Sequence, residues 1–355
     1  MTTNGGYRPV FCTIVPPHIL DHLATHEDQA LADSALRTLQ HDSAQRTLRR
    51  VTAVRTTAAA VAPAPATAQP HRTVYDAGHG TDLPGTEVRA EGSEPGQDTS
   101  VNRAYAGLGA TFDLYLKAYA RDSIDGAGLP LNASVHYDVD YDNAFWNGEQ
   151  MVFGDGDGQI FTDFTSSVDV IGHELTHGVT QYTANLEYYG QSGALNESVS
   201  DVFGSLIKQY SLGQTADQAD WLIGEGLLAP GVHGVALRSM KAPGTAYDDP
   251  RLGRDPQPAT MQHYVRTSRD NGGVHINSGI PNHAFYLVAA ALGGNAWERA
   301  GQIWYDVLTG GELASDADFA DFAKLTVAAA KARYQEGAET KAVLGAWAQV
   351  GVPAA

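Results

Sequence analysis

The spacing of apolar positions changes character along the chain. Over residues 18–50, Leu20, Leu23, Leu31, Leu36, Leu39 and Leu48 recur at intervals compatible with a 3.6-residue period, which predicts polar-rich helix ending in Arg46, Arg49 and Arg50. The pattern stops at TTAAAVAPAPATAQP, residues 56–70. Its Ala, Thr and Pro composition reads as an extended linker outside any core, or as a loosely packed surface strap. Residues 71–165 carry short strand-like runs, ASVHYDVDYD at 133–142 and QMVFGDGDGQIF at 150–161, the latter as two strands around a Gly-Asp turn. A helix is predicted within this region over 110–122. From residue 169 helical periods dominate, at 168–183, 195–211, 282–293, 298–310 and 319–335. A β-rich half followed by a helical half, without strand–helix–strand alternation, predicts an α+β fold of two lobes. The expected units are an N-terminal module over 1–50, a linker over 51–70, a β-rich lobe over 71–182 and a helical lobe over 183–355.

Composition narrows the partners. The 355 residues are 43% hydrophobic and 18% charged, enough apolar material for a sizeable core. Lys plus Arg is 23 and Asp plus Glu is 41, a net charge of −18, which argues against nucleic acid or an anionic membrane as partner. No apolar run is long enough to span a bilayer, and the first twenty residues lack the pattern of a signal peptide. A soluble protein is expected, acting as a monomer, exported by a route the sequence does not display or else cytoplasmic. The single cysteine, Cys12, excludes an internal disulfide, so packing, hydrogen bonds or a metal must hold the fold.

The chemistry-bearing residues begin at HELTH, 173–177. Residues four apart share one helix face, so His173 and His177 point to one spot and can hold Zn²⁺, with Glu174 beside them to take a proton from a metal-bound water. Two surface histidines are the plain alternative, but Val170, Ile171, Leu175 and Val179 make this helix apolar. A catalytic zinc needs a third protein ligand and an open position. Glu197 on the helix 195–211 is the candidate ligand, with Asp201 one turn on to steady a ligand histidine, or else as an ordinary surface acid.

Together with NESVSD at 196–201, the motif resembles the thermolysin family of zinc metallopeptidases. NAFWNG at 143–148, LRSM at 237–240 and DNGGVHINSG at 270–279 match further segments of that family in order and spacing. The resemblance runs from about residue 71 to the C-terminus. It implies a β-rich lobe and a helical lobe with the HExxH helix at the floor of the cleft between them. It implies that His173, His177 and Glu197 bind zinc, that Glu174 activates water, and that Asp201 holds His173. Tyr188 and His275 would stabilise the oxyanion, with Asp270 orienting His275. Arg238 would bind a substrate carbonyl, and the Asn143 side chain and Ala144 backbone would hold the peptide as an added strand. Tyr188 could instead only pack, and Arg238 only pair with carboxylates. Phe161, Val170, Ile223, Leu227 and Leu237 would form the S1′ pocket, implying cleavage of proteins and peptides before bulky hydrophobic residues. A catalytically silent, zinc-stabilised binding protein is the reading from another class.

Two regions depart from thermolysin. Lys208 and Leu222 stand at positions acidic in its calcium sites, beside the retained Asp169, Asp220 and Glu225. Structural calcium is therefore expected to be absent, or limited to one weak site. The run Asp155-Gly156-Asp157-Gly158 looks calcium-like but reads better as a turn. The N-terminus, IVPPHIL at 14–20, is similar to the short propeptides of the protealysin-like branch, implying a zymogen inhibited by its own propeptide and cut in the linker before Val51, Val54 or Val61. A simple N-terminal extension is the alternative. In the inhibitory reading Pro16 and Pro17 form a rigid extended segment resistant to hydrolysis, with Ile19 or Leu20 in the S1′ pocket. Cys12 is then either a small buried residue of the propeptide core or a thiolate reaching the zinc.

Overall fold

A computed structural model describes residues 12–51 and 68–354. The expected cleavage positions Val54 and Val61 lie outside the described residues, and of Val51 only the backbone is described. The N-terminal segment forms two helices, α1 (Pro17–Leu23) and α2 (Gln29–Val51). Pro16 is extended, with φ −64° and ψ 142°, but Pro17 opens α1, where its missing N–H costs nothing. The double proline therefore starts a helix rather than prolonging an extended strap.

The first lobe is built on β1 (Arg72–Asp76), β2 (Thr86–Ala90), α3 (Thr99–Tyr119), β3 (Leu131–Val135), β4 (Ala144–Trp146) and β5 (Met151–Phe153). The strand order is β2-β1-β3-β5-β4. β1 and β2 pair antiparallel, as do β4 and β5, but β1–β3 and β3–β5 are parallel. The sheet is thus mixed. α3 lies in the connection between the parallel neighbours β1 and β3, a crossover the expectation of no alternation missed. α3 begins eleven residues earlier than the periodicity suggested, because the Asp98 side chain caps the Ser100 and Val101 amides. β4 is an edge strand. The Gly-Asp run is a turn: Asp157 Oδ1 accepts the amides of Gln159, Ile160 and Phe161 at 2.7–3.1 Å. Asp155 is taken by His136, 2.9 Å away, which also meets Asp98. Burial works against the charge of His136, but these carboxylates outweigh it and raise its pKa to about 9.

α4 (Val168–Gln181) closes the first lobe, and the second is mainly helical: α5 (Gly190–Leu212), then the short pair β6 (Leu222–Ile223) and β7 (Arg238–Ser239), and α6 (Asp270–Asn277), α7 (Gly279–Leu292), α8 (Ala300–Thr309), α9 (Phe319–Tyr334) and α10 (Ala338–Gln349). The α+β class and the two-part arrangement follow the expectation, while α10 was not foreseen. α4 is buried on nearly every side. Its approach to α5 depends on two glycines. A Cβ on Gly204 would lie 2.5 Å from Asp169 O and 3.3 Å from His173 Cβ, and one on Gly172 would lie 2.6 Å from Ile207 Cδ1. α3 packs on α4 in the same manner, with Gly107 against Ile171. No described helix is long and apolar enough to cross a membrane.

Gly204→Ala is expected to destabilise the protein by about 1–3 kcal/mol through overpacking. Thermal unfolding measures it, and an unchanged Tm would show that α4 and α5 separate without cost.

Candidate active site

α4 and α5 present their functional side chains to each other. His173 Nε2 and His177 Nε2 lie 3.0 Å apart, and each is 3.6 Å from a Glu197 carboxylate oxygen. All three residues are buried. The outer ring nitrogens set the tautomers. His177 Nδ1 faces Asn196 Oδ1 at 2.8 Å and Ser200 Oγ at 3.1 Å. The Asn196 amide nitrogen donates to Leu186 O, which keeps its oxygen toward the imidazole. His173 Nδ1 lies 2.8 Å from Asp201 Oδ1. Both Nδ1 atoms therefore carry the proton, and two Nε2 lone pairs face each other across 3.0 Å. Glu197 Oε2, also buried, accepts no hydrogen bond among the described residues. Opposed lone pairs beside an orphaned carboxylate oxygen are unfavourable without a cation between them, and two imidazoles with a carboxylate are a catalytic-zinc donor set.

A fourth donor comes from the N-terminal segment. Cys12 Sγ lies 2.8 Å from Glu197 Oε1, and Cys12, His173, His177 and Glu197 bring one ligand atom each to within 4.8 Å of one another. Cys12 is buried, but against Glu197, Tyr188 and His275, not in a core of the N-terminal segment itself. This corrects the reading of Cys12 as a residue of the propeptide core. Burial, then the charges of Glu197 and Glu174, push its thiol up.

Glu174 lies beside the donors and is also buried. Its Oε2 accepts the Trp146 amide at 3.1 Å, which ties α4 to edge strand β4. Burial, then the Glu197 charge, raise its carboxyl well above the usual range. Tyr188 Oη contacts Glu197 Oε1, Cys12 Sγ and His275 Nε2, the last at 3.2 Å. Asp270 Oδ1 holds His275 Nδ1 at 2.6 Å and directs Nε2 into the site. The backbone there turns through Asn271, Gly272 and Gly273, all at positive φ, where two glycines avoid the Cβ penalty.

Asp201 does more than the sequence suggested. It takes Arg238 in a bidentate pair, at 2.9 and 2.8 Å, and accepts from Asn282 at 2.8 Å. Burial alone would raise its carboxyl, but Arg238 and then His173 outweigh it and hold it below the ordinary range. Arg238 still has a hand free: Nη1 donates to Ile14 O at 3.1 Å. Ile14 N donates to Ala144 O at 3.1 Å, Val15 N to Asn143 Oδ1 at 2.9 Å, and Thr13 bridges Phe145 antiparallel. Residues 13–15 thus extend the sheet at β4. The main-chain contacts in the cleft come from Ile14 and Val15, whereas Ile19 and Leu20, expected there, lie in α1. Phe161, Val170, Ile223, Leu227 and Leu237 are each at most 1% exposed. Leu237 N bonds Ile223 O at 3.0 Å, and Leu227 and Leu237 flank Gly224.

The N-terminal segment adds residues the sequence did not reveal. Asp42 of α2 accepts from Tyr141 Oη at 2.6 Å and from Asn143 Nδ2 at 3.1 Å. Ser34 reaches Asp142, and His41 and Arg37 meet Asp138 and Asp140. Asn196 could have been found as the first residue of NESVSD; the α2 contacts carry no motif.

A buried donor set for zinc, an adjacent carboxylate and a strand-like peptide cleft define a metallopeptidase site. Residues 51–181 match the family model for the thermolysin metallopeptidase catalytic domain and 184–352 that for its alpha-helical domain. The chain belongs to the thermolysin family and is a zinc metalloendopeptidase in precursor form. It is 51% identical to an extracellular metalloprotease of Pectobacterium carotovorum subsp. carotovorum, over 97% of each chain. It is 48% identical to protease PrtS of Photorhabdus sp. (strain Az29), over 98% of this chain and 93% of the relative. The solved precursor of protealysin from Serratia proteamaculans superposes with a TM-score of 0.88 at 54% identity, over 96% of this chain and 99% of that one.

Asp201→Asn is expected to weaken zinc binding about 10–100-fold, since one side chain steadies His173 and Arg238 together. Chelator competition on the folded variant measures this; wild-type affinity would make Asp201 dispensable to the metal site.

Proposed function

We propose that the chain is an exported, monomeric zymogen of a neutral endopeptidase that cleaves before bulky hydrophobic residues. Residues 1–50 act as its inhibitory propeptide, joined through a linker at 51–70 to catalytic lobes at 71–182 and 183–355. The observation that carries the reading is main chain lying between Ala144, Asn143 and Arg238, with its N-terminal end against the zinc donors. Relatives named as extracellular metalloproteases support export.

His173, His177 and Glu197 would hold the metal. Zinc, when bound, polarises the scissile carbonyl and lowers the pKa of water. Glu174, held by the Trp146 amide, takes the proton of the attacking water and delivers it to the leaving nitrogen. Tyr188 and His275 donate to the oxygen on which charge develops, and Asp270 keeps His275 aimed. Arg238 holds the carbonyl one residue beyond the scissile bond, while Asn143 and Ala144 hold the strand. The pocket of Phe161, Val170, Ile223, Leu227 and Leu237 discriminates by only ~1–3 kcal/mol per methylene-scale difference, so specificity is broad. Glu174→Ala should keep fold and zinc but lose about 10²–10⁴-fold in kcat/KM after maturation. Substantial turnover by that variant would refute the mechanism.

In the precursor Cys12 is the fourth ligand. X-ray absorption of the zinc-loaded wild type should reveal one sulfur neighbour at ~2.3 Å, absent in Cys12→Ser. An all-nitrogen and oxygen shell in wild type would exclude the thiolate.

Lys208 replaces structural calcium. Its Nζ lies 2.6 Å from Asp220, 2.9 Å from Glu225 and 3.4 Å from the buried Asp169. The wild-type Tm should not respond to calcium or its chelation, whereas Lys208→Ala, leaving Asp169 uncompensated, should cost about 3 kcal/mol. A calcium-dependent Tm in wild type would contradict this.

A further inference from the structure

The N-terminal segment lies across the cleft in a particular direction. Thr13 pairs antiparallel with Phe145, Ile14 N donates to Ala144 O, Arg238 donates to Ile14 O, and Val15 N donates to Asn143 Oδ1. With Ile14 O tied to Arg238, the next carbonyl toward the N-terminus is that of Thr13. Its oxygen is 3.6 Å from Cys12 Sγ, which is itself 2.8 Å from Glu197 Oε1 within the donor cluster. Glu174 stands on the same side, bonded to the amide of Trp146, the neighbour of Phe145. Ile14 is fully buried and is the kind of side chain the apolar pocket accepts.

We infer that the peptide bond between Thr13 and Ile14 is a latent scissile bond of the enzyme's own chain, bound in the productive direction and spared only because Cys12 Sγ fills the space of the attacking water. This inference rests on the zinc peptidase reading above.

Neither other obvious protection operates here. A peptide bound backwards along a strand edge escapes hydrolysis because its carbonyl and amide exchange places, but this segment gives the Ile14 amide to Ala144 O and the Ile14 carbonyl to Arg238. The prolines shield only the bonds into Pro16 and Pro17, two and three residues further on. The bond into Ile14 has an ordinary N–H. What differs from a substrate is the sulfur, one residue upstream, 3.6 Å from the Thr13 oxygen and 2.8 Å from Glu197 Oε1.

With the sulfur gone, the reaction balances with one water and no other reagent. Water adds to the Thr13 carbonyl carbon, Glu174 accepts its proton, the bond to the Ile14 nitrogen breaks, and the proton passes to that nitrogen. The water's second proton follows to the same nitrogen, so the products are a carboxylate on Thr13 and an ammonium on Ile14. The chain loses residues 1–13 from the end that blocks its own cleft.

The test uses the full-length, zinc-loaded chain carrying Cys12→Ala, followed by intact mass spectrometry. Loss of residues 1–13 is expected, with a new N-terminus at Ile14, at a rate independent of protein concentration and abolished by adding Glu174→Ala. Hydrogen–deuterium exchange of the inactive Cys12→Ala/Glu174→Ala protein provides a readout free of turnover. The Ile14 and Val15 amides should stay as protected as in Glu174→Ala alone. Loss of that protection would mean that the sulfur itself holds the segment in the cleft, and would overturn the inference. So would a Cys12→Ala protein that matures in the linker and hydrolyses casein while its released N-terminal piece retains the bond between Thr13 and Ile14. That result leaves the peptidase reading standing, whereas a wild-type protein that never hydrolyses casein after maturation overturns both.

Discussion

The site depends on how closely α4 and α5 can approach. Metal ligands on two helices must converge within a few ångströms, yet side chains normally keep helix axes 8–10 Å apart. Gly204 removes the obstacle where α5 meets Asp169 and His173, and Gly172 removes it on the opposite surface against Ile207. The backbone of one helix then lies against the ligand-bearing turn of the other, and Glu197 comes to 3.6 Å from both imidazoles. This contact is bought with conformational freedom, since each glycine weakens its own helix. Burial on both sides restores the balance: α3 closes on α4 at Gly107, and Thr176 meets Tyr115 at 2.9 Å.

A second constraint follows from burial. The cleft floor contains Glu174, Glu197 and Asp201, three carboxylates with essentially no exposure. Their environments drive them apart. Burial works against the charge of Glu197, but His275, then His177 and His173, hold it down to about 2, while burial and then that charge drive Glu174 upward. Asp201 stays ionised by sharing Arg238 and His173. One carboxylate therefore ties His173 of the donor cluster to Arg238, which holds the Ile14 main chain, so the two halves of the site are positioned together.

Much of this was legible because it is carried by side-chain identity at fixed helical spacing. His173, His177, Glu197 and Asp201 occupy one face of their helices and meet as their intervals require. The turn before His275 is announced by Asn271-Gly272-Gly273, residues that tolerate the left-handed conformation. What stayed hidden is carried by main chain. Ile14 and Val15 engage the cleft through N–H and C=O groups that every residue possesses, so nothing marked the register, and the conspicuous prolines drew attention two residues too far along. The parallel pairing of β1 with β3 was likewise invisible, since β3 is only five residues long and β2 precedes the crossover helix. The partnership of Asp42 with Tyr141 and Asn143 spans about a hundred residues and has no local pattern.

Among the described residues the N-terminal segment grips the rest of the molecule at three separated places: residues 12–15 in the cleft, His18 of α1 on Tyr247, and Ser34 to Asp42 along α2. While the chain is continuous, these grips act at the high effective concentration that a tether imposes, whatever the dilution of the protein. A single cut between residues 51 and 68 would leave these three grips in place but would turn the segment into a separate ligand, held by its own dissociation constant. Release then becomes a matter of volume. In a crowded compartment the freed segment would rebind, whereas in the open medium it would drift away, so the same covalent event would have opposite consequences on the two sides of a membrane.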